Sequence, residues 1–365
     1  MLHRGLVPKS GSRRDLVVPS TDPAPRTLAV VSENAEARPR AVGVRDVAAL
    51  AGVSRQTVSR VLNEHPDVAP ETRDRVVAAM DELGYRMNNA ARALGTRRTR
   101  TIGVLASDAL QYGPSRSIAA IEASAREAGY WVSTAYADSG DADSVRAAIE
   151  HLRAQAVDGL VVFAPHARTL DVLKDLDTGI PTVALHTADC SAHSVDQVAG
   201  ARLAVAALAD AGHRRIAHLA GPADWLEAEA RASGYEAELA ARGLGFRMTV
   251  CGDWTARSGY EAAAEVRASG ATAVFAGNDQ MALGLITGLR ESGVDVPADV
   301  SVVGFDDTPD AEYFWPPLTT VRQDFDELAR RAVAALVGEG EAIASAPVAP
   351  VAPVLITRAS VASPR

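Results

Sequence analysis

The polar side chains with the most telling spacing lie at residues 54–63, Ser-Arg-Gln-Thr-Val-Ser-Arg-Val-Leu-Asn. At a helical repeat, Val58, Val61 and Leu62 turn to one side and leave Arg55, Gln56, Ser59, Arg60 and Asn63 on the other. A guanidinium fork matches the O6/N7 edge of guanine and a Gln amide matches adenine, each contact discriminating by about 1–3 kcal/mol. The chemistry on offer is recognition by hydrogen bonding. Catalysis finds no comparable set: Gly243-Leu-Gly245 lacks the third glycine of a dinucleotide loop, because residue 248 is Met. The chain also has no phosphate-binding G-x-x-x-x-G-K-[ST], no H-E-x-x-H and no G-x-S-x-G. Its many Asp and Glu residues show no metal-ligand spacing, so neither an enzyme nor a cofactor or metal is expected.

Three short helices must hold that polar face. Val47, Ala48, Leu50 and Ala51 predict a buried stripe on a first helix, which Gly52 ends at a position suited to φ > 0. Ser54 then caps the helix from Arg55 by accepting from its first-turn N–H groups. Pro70 opens a third helix with the stripe Val76, Val77, Met80 and Leu83, and Gly84 stops it. Two helices joined by a tight Gly-containing turn make a helix-turn-helix.

The 365 residues allow two or three domains. Apolar residues make up 47% and charged residues 23%, ordinary for a globular protein. The net charge of −9 is unevenly spread. Residues 1–100 hold 17 Lys and Arg against 11 Asp and Glu, leaving 20 against 35 for the rest. A basic module for a polyanion joined to an acidic domain fits that division. Two cysteines, Cys190 and Cys251, do not make a disulfide framework. No apolar run reaches a membrane span and no secretory leader is evident, so a cytoplasmic protein is expected. Residues 1–40, rich in Arg, Pro, Ser and Thr, read as a disordered arm.

From Thr101 onward, apolar runs alternate with amphipathic helices. The runs are 101–106, 159–164, 182–185, 215–220, 273–276 and 300–305, and the helices include 118–128, 144–154 and 200–211. Continuous apolar strands joined by helices predict parallel sheets covered on both faces, an α/β core of the doubly wound kind. Ligands of such sheets bind at the carboxyl ends of the strands.

The stretch 46–63, DVAALAGVSRQTVSRVLN, closely resembles the DNA-binding headpiece of the LacI/GalR family of transcriptional regulators. The resemblance continues through Thr72–Arg73 and Met80–Tyr85 into the acidic core, in Gly252–Tyr260, Asn278–Gly284, Ser301–Thr308 and Pro316–Thr320. It implies a helix-turn-helix headpiece at 41–86, a hinge at 87–100 and a periplasmic-binding-protein-like core at 101–365. The core would comprise two doubly wound parallel-sheet subdomains, about 101–190 with 322–348 and about 191–321 with 349–360. By the same resemblance Arg55, Gln56 and Arg60 read bases, while Ser54, Thr57, Ser59 and Asn63 hold phosphates or buttress the helix. In the hinge, Leu94 would wedge into the minor groove, with Arg92, Arg97, Arg98 and Arg100 on phosphates. Met87 departs from the proline of many members.

The core's resemblance implies a sugar effector between the subdomains. Arg231, Asn278 and Asp306 would bond its hydroxyls, Trp254 would face the ring, Phe325 would close the wall and Pro114 would lie at the rim beside Gln111. His186 stands where a ligand-facing aspartate is expected, which leaves open a sugar contact or a structural role. The expected protein is a homodimeric repressor on a palindromic operator, released by a small sugar, with a galactoside as the leading class. A sugar as co-repressor and a receptor without DNA function are the alternatives. The Ala/Pro/Val-rich tail 342–353 lacks the leucine heptads of the family's tetramers, which favours a dimer.

Overall fold

The computed structural model describes residues 42–62, 65–85, 98–107, 109–138, 140–175, 178–187, 191–338 and 349–365. The arm at 1–40, Asn63, Met87, Leu94, Cys190 and most of the hinge lie outside the described residues. Contacts divide the chain into two units, residues 1–86 and 87–365.

The first unit is built from α1 (Val44–Ala51), α2 (Arg55–Leu62) and α3 (Pro70–Glu82). Asp46 accepts from the Gly43 N–H at 2.8 Å, and Gly52, at φ 64°, closes α1. Ser54 Oγ accepts from the Thr57 N–H at 3.0 Å, the expected cap of α2. Val47, Ala48, Ala51, Val58, Val61, Val68, Val76 and Ala79 form the core. Two expected core residues, Leu50 and Val77, are instead 45% exposed. With about 100° between successive residues, Leu50 falls roughly 60° outside the arc of Val47, Ala51 and Ala48. Val77 is likewise about 100° from Val76, and Ala79 takes the inward place.

The second unit contains two sheets. The first has β1 (Thr101–Ala106), β2 (Trp131–Tyr136), β3 (Gly159–Phe163) and β4 (Thr182–Leu185), all parallel in the order β2-β1-β3-β4. Between them run α4 (Tyr112–Glu127), α5 (Ala142–Ala154) and α6 (Ala167–Asp175). The second sheet has β5 (Ile216–Ala220), β6 (Thr249–Cys251), β7 (Ala273–Ala276), β8 (Ser301–Asp306), β9 (Thr319–Arg322) and β10 (Val354–Ile356). Their order is β10-β9-β8-β7-β5-β6, parallel except for β10, which pairs antiparallel with β9 at one edge. Its helices are α7 (Gln197–Asp210), α8 (Leu226–Ala241), α9 (Ala256–Ser269) and α10 (Asp279–Glu291).

The chain then returns. In α11 (Phe325–Val337), Phe325, Leu328, Ala329, Ala332 and Val333 pack with Ile102, Val104, Ile121 and Phe163 of the first sheet's layer. Residues 349–365 go back to the second sheet, where Ser360 Oγ donates to the Val302 carbonyl at 2.6 Å. The chain thus passes between the two layers three times, and the carboxyl ends of the strands supply the residues described next.

Two of those residues depend on one tight helix pair. Trp254 lies just before α9 and Asn278 caps α10. These helices approach so closely that a Cβ on Gly284 would overlap the Ala256 carbonyl, and one on Gly259 the Met281 carbonyl. Backbone atoms cannot yield as a side chain can. Gly284→Ala is expected to destabilise the core by about 1–3 kcal/mol or more, read as a lowered urea midpoint, whereas Gly293→Asn at an open left-handed turn should change it by less than about 1 kcal/mol.

Candidate functional site

In the first unit, Arg55, Gln56, Ser59 and Arg60 are exposed on α2, opposite the buried Val58 and Val61. Ser54 and Thr57 are engaged with each other, their hydroxyls 2.9 Å apart beside the cap bond. These two side chains set the helix start. The outward face presents two guanidinium groups, an amide and a hydroxyl.

In the second unit, a cavity is lined by Pro114 of α4, Arg231 of α8, Trp254, Asn278 and Asp306, five of the seven expected effector residues. Arg231 is its electrostatic centre. Only 4% exposed, its guanidinium donates from Nε to Gln197 Oε1 at 2.9 Å and from Nη1 to the Gly277 carbonyl at 2.6 Å. Nη2 faces Glu227 Oε2 at 3.8 Å and Asp306 Oδ1 at 3.9 Å, beyond hydrogen-bond length from both. A hydroxyl placed here could accept from Nη2 and donate its single proton to one of the two carboxylates.

The acceptor at Gln197 Oε1 fixes that amide, so its Nε2 donates to Glu227 at 3.0 Å and to Gln323 Oε1 at 2.8 Å. Gln323 in turn donates to Asp306 Oδ1 at 2.7 Å. A chain of hydrogen bonds thus runs from Arg231 through both glutamines to Asp306. Burial pushes the Asp306 carboxyl up to about 6, against the opposing pull of Arg231 and the Gln323 hydrogen bond.

His186 and Phe325 do not line this cavity. His186 is 3% exposed, with Nε2 3.0 Å from Ser117 Oγ and Nδ1 3.1 Å from Glu227 Oε1. A carboxylate only accepts, so Nδ1 is the donor. The imidazole therefore presents Glu227 rather than itself. Burial raises the Glu227 carboxyl, but the charge and hydrogen bond of His186, with Arg231, outweigh this and hold it below its ordinary value. Phe325, 3% exposed, packs in the first layer and walls a neighbouring opening with Arg116 and Asp326.

Trp254 sits at φ 71° and is 5% exposed. Any Cβ on Gly221 would overlap its indole, which meets Trp225 edge-on at 5.5 Å. Its Nε1 is buried with no hydrogen-bond partner among the described residues. The Asn278 amide caps α10 by accepting from the Met281 N–H and donates to the Trp254 carbonyl, at 2.9 and 3.0 Å. It therefore ties two parts of the wall together. His186, Trp254, Asp306 and Asp307 all adopt φ between 53° and 106°. Left-handed backbone in such residues costs about 1–3 kcal/mol each and concentrates at functional sites.

Glu227, Gln197, Gln323 and the walls Trp225 and Tyr112 were absent from the sequence reading. The spacing Glu227-x-x-x-Arg231 places two charges on one helix face, a signal that was available. Gln197 and Gln323 carry none, since only the meeting of α7 with the β9–α11 crossover makes them neighbours. Among the described residues, no group of three or more His, Cys, Asp or Glu could hold a metal ion, and no helix is long and apolar enough to cross a membrane.

Residues 44–88 match the family model "Bacterial regulatory proteins, lacI family", and residues 205–361 match "Periplasmic binding protein-like domain". The chain is 36% identical over 331 residues to the lactose operon repressor of Escherichia coli K12, covering 88% of this chain and 91% of that one. It is 38% identical over 320 residues to the transcriptional regulator CelR of Thermobifida fusca, covering 80% and 91%. Among solved structures, the Lac repressor dimer bound to operator and the anti-inducer ONPF aligns with a TM-score of 0.77 at 34% identity, covering 88% of this chain and all of that one. The CelR–cellobiose complex aligns with a TM-score of 0.63 at 32% identity, covering 87% and 99%.

His218 stacks on Phe275 with ring centroids 4.7 Å apart and donates from Nδ1 to its carbonyl at 3.0 Å. Burial, with the nearby Arg231 charge, lowers its pKa to about 4. The unfolded chain takes up this proton near 6.5 and the folded one only near 4, so stability is present above the first value and lost as pH falls towards the second. Between pH 7 and 4 this single group is expected to remove on the order of 3 kcal/mol. A plot of unfolding free energy against pH should be shallower for His218→Gln by about that amount.

Proposed function

The chain belongs to the lacI family of bacterial regulatory proteins, and from that membership we propose that it is a transcriptional repressor which binds a palindromic operator as a homodimer and releases it when a small sugar enters the core. The observation that carries this reading is the coexistence in one chain of an exposed Arg55-Gln56/Arg60 face on a capped helix and a buried cleft of hydroxyl-bonding groups around Arg231. Each recognition helix would enter one major groove, with the half-sites about one helical turn apart. Leu94 and its neighbours at 87–100 would form the hinge that orders on DNA. Cytoplasmic residence follows from an operator as partner.

Arg231, Asp306 and Glu227 bind the sugar hydroxyls, and Trp254 supplies the apolar face. The sugar favours one of two core arrangements over the other, which is the only way a ligand shifts such an equilibrium. Galactosides lead the list of effectors because the lactose operon repressor is among the relatives, and cellobiose follows from the CelR complex.

The test is fluorescence anisotropy of the full chain on its own upstream DNA at stated salt, titrated with galactosides, glucosides and cellobiose. Selective binding reversed by one sugar is the expected result. Binding strengthened by a sugar would make that sugar a co-repressor, and sugar binding without any selective DNA binding would leave only a receptor. Gln56→Ala should cost about 1–3 kcal/mol at one operator position and leave non-specific binding unchanged. A uniform loss on all sequences would refute base reading by Gln56.

A further inference from the structure

We propose that Asp279 is the positioning residue of the effector site: it clamps the turn after β8 to the start of α10 and thereby sets where Asp306 presents its carboxylate. This rests on the effector reading above. Asp279 directly follows the Asn278 cap and is fully buried. Its Oδ2 accepts from the Thr308 N–H at 2.7 Å and its Oδ1 from the Thr320 hydroxyl at 2.6 Å. Gly304 of β8 makes room for it, since any Cβ there would overlap Oδ1.

The turn it grips needs gripping. Asp306 and Asp307 lie at φ 106° and 53°, a run of backbone that non-glycine residues hold only when their surroundings enforce it. Arg322 and Arg358 secure Asp307 from one side, each at 2.6–2.7 Å. Asp279 secures Thr308 from the other, so the two residues that directly follow Asp306 are both anchored. A helix-start acid serving only the helix dipole would work equally well in solvent. This one is buried against Asp306 and Asp307, with the Tyr112 phenol also within its field. Burial first, then the Asp306 charge, pushes its carboxyl up to about 8.

The test compares Asp279→Ala and Asp279→Asn in the full chain. Asn retains an acceptor for Thr308 and a polar group for Thr320; Ala retains neither. Amide exchange is followed at Thr308 and, as a control, at Phe305, and calorimetry measures binding of ONPG and cellobiose. Ala should speed Thr308 exchange at least tenfold with Phe305 unchanged, and should weaken whichever sugar binds at least tenfold. Asn should restore both to within threefold. Wild-type exchange and affinity in the Ala variant would overturn the proposal, as would loss at Phe305 and Thr308 alike with no rescue by Asn. If the Ala variant does not fold, Thr320→Val, which removes one arm of the clamp, must raise Thr308 exchange. If neither sugar binds the wild type, those two probes are wrong for this cleft, and Thr308 exchange alone decides the clamp.

Discussion

A guanidinium removed from water cannot shed its charge, and the second unit is organised around that constraint. Arg231 is buried over the face of Phe305, 4.0 Å from the ring centroid, where every donor must find an acceptor or a π-face. Its two acceptors and two counter-charges come from four separate parts of the chain: Gln197 on α7 and the Gly277 carbonyl after β7 accept, while Glu227 one turn earlier on α8 and Asp306 at the end of β8 supply charge. Each is brought there by a strand end or a helix start. That is where a parallel α/β fold gathers unlike side chains without disturbing its apolar layers.

The same groups join the two layers. His186 follows β4 of the first sheet, yet its partner Glu227 belongs to α8 on the second. Gln323 lies on the crossover into α11 and bonds both Gln197 and Asp306. Nearby, the Leu226 N–H donates to the Pro165 carbonyl at 2.8 Å, and His166 bonds the Asp224 carbonyl at 3.0 Å. A ligand displacing any member of this network acts on contacts that hold the layers together.

The sequence made the apolar strands and the capped helices plain because one residue type at one spacing suffices to define them. Ser54, Gly52 and Pro70 act within a turn of their own positions, and the continuous runs at 159–163 and 301–306 are buried on both sides. Strand β2 escaped notice because it is an edge strand with Trp131 and Tyr136 exposed, and β9 because its buried Thr319 and Thr320 satisfy their hydroxyls through distant partners. In the site, Arg231, Trp254, Asn278 and Asp306 were legible through a family pattern. For His186 the sequence leaves a sugar contact and a structural role open, and the ring bonds Ser117 and Glu227, a pairing that no single position records. Gln197 and Gln323, 126 residues apart, become partners only through the crossover from β9 into α11.

In the function proposed above, the buried fork of Arg231 takes the sugar while the base contacts belong to the headpiece. Arg231→Lys tests this most directly, because an ammonium keeps the charge but cannot span Gln197, Gly277 and a ligand hydroxyl together. Operator affinity and its dependence on the sugar that releases the wild type should be measured in the same anisotropy titration. The account predicts operator affinity within about threefold of wild type and a response to sugar that is lost or needs at least about a hundredfold more sugar, roughly 2.7 kcal/mol. An unchanged sugar response in the Lys variant would contradict it.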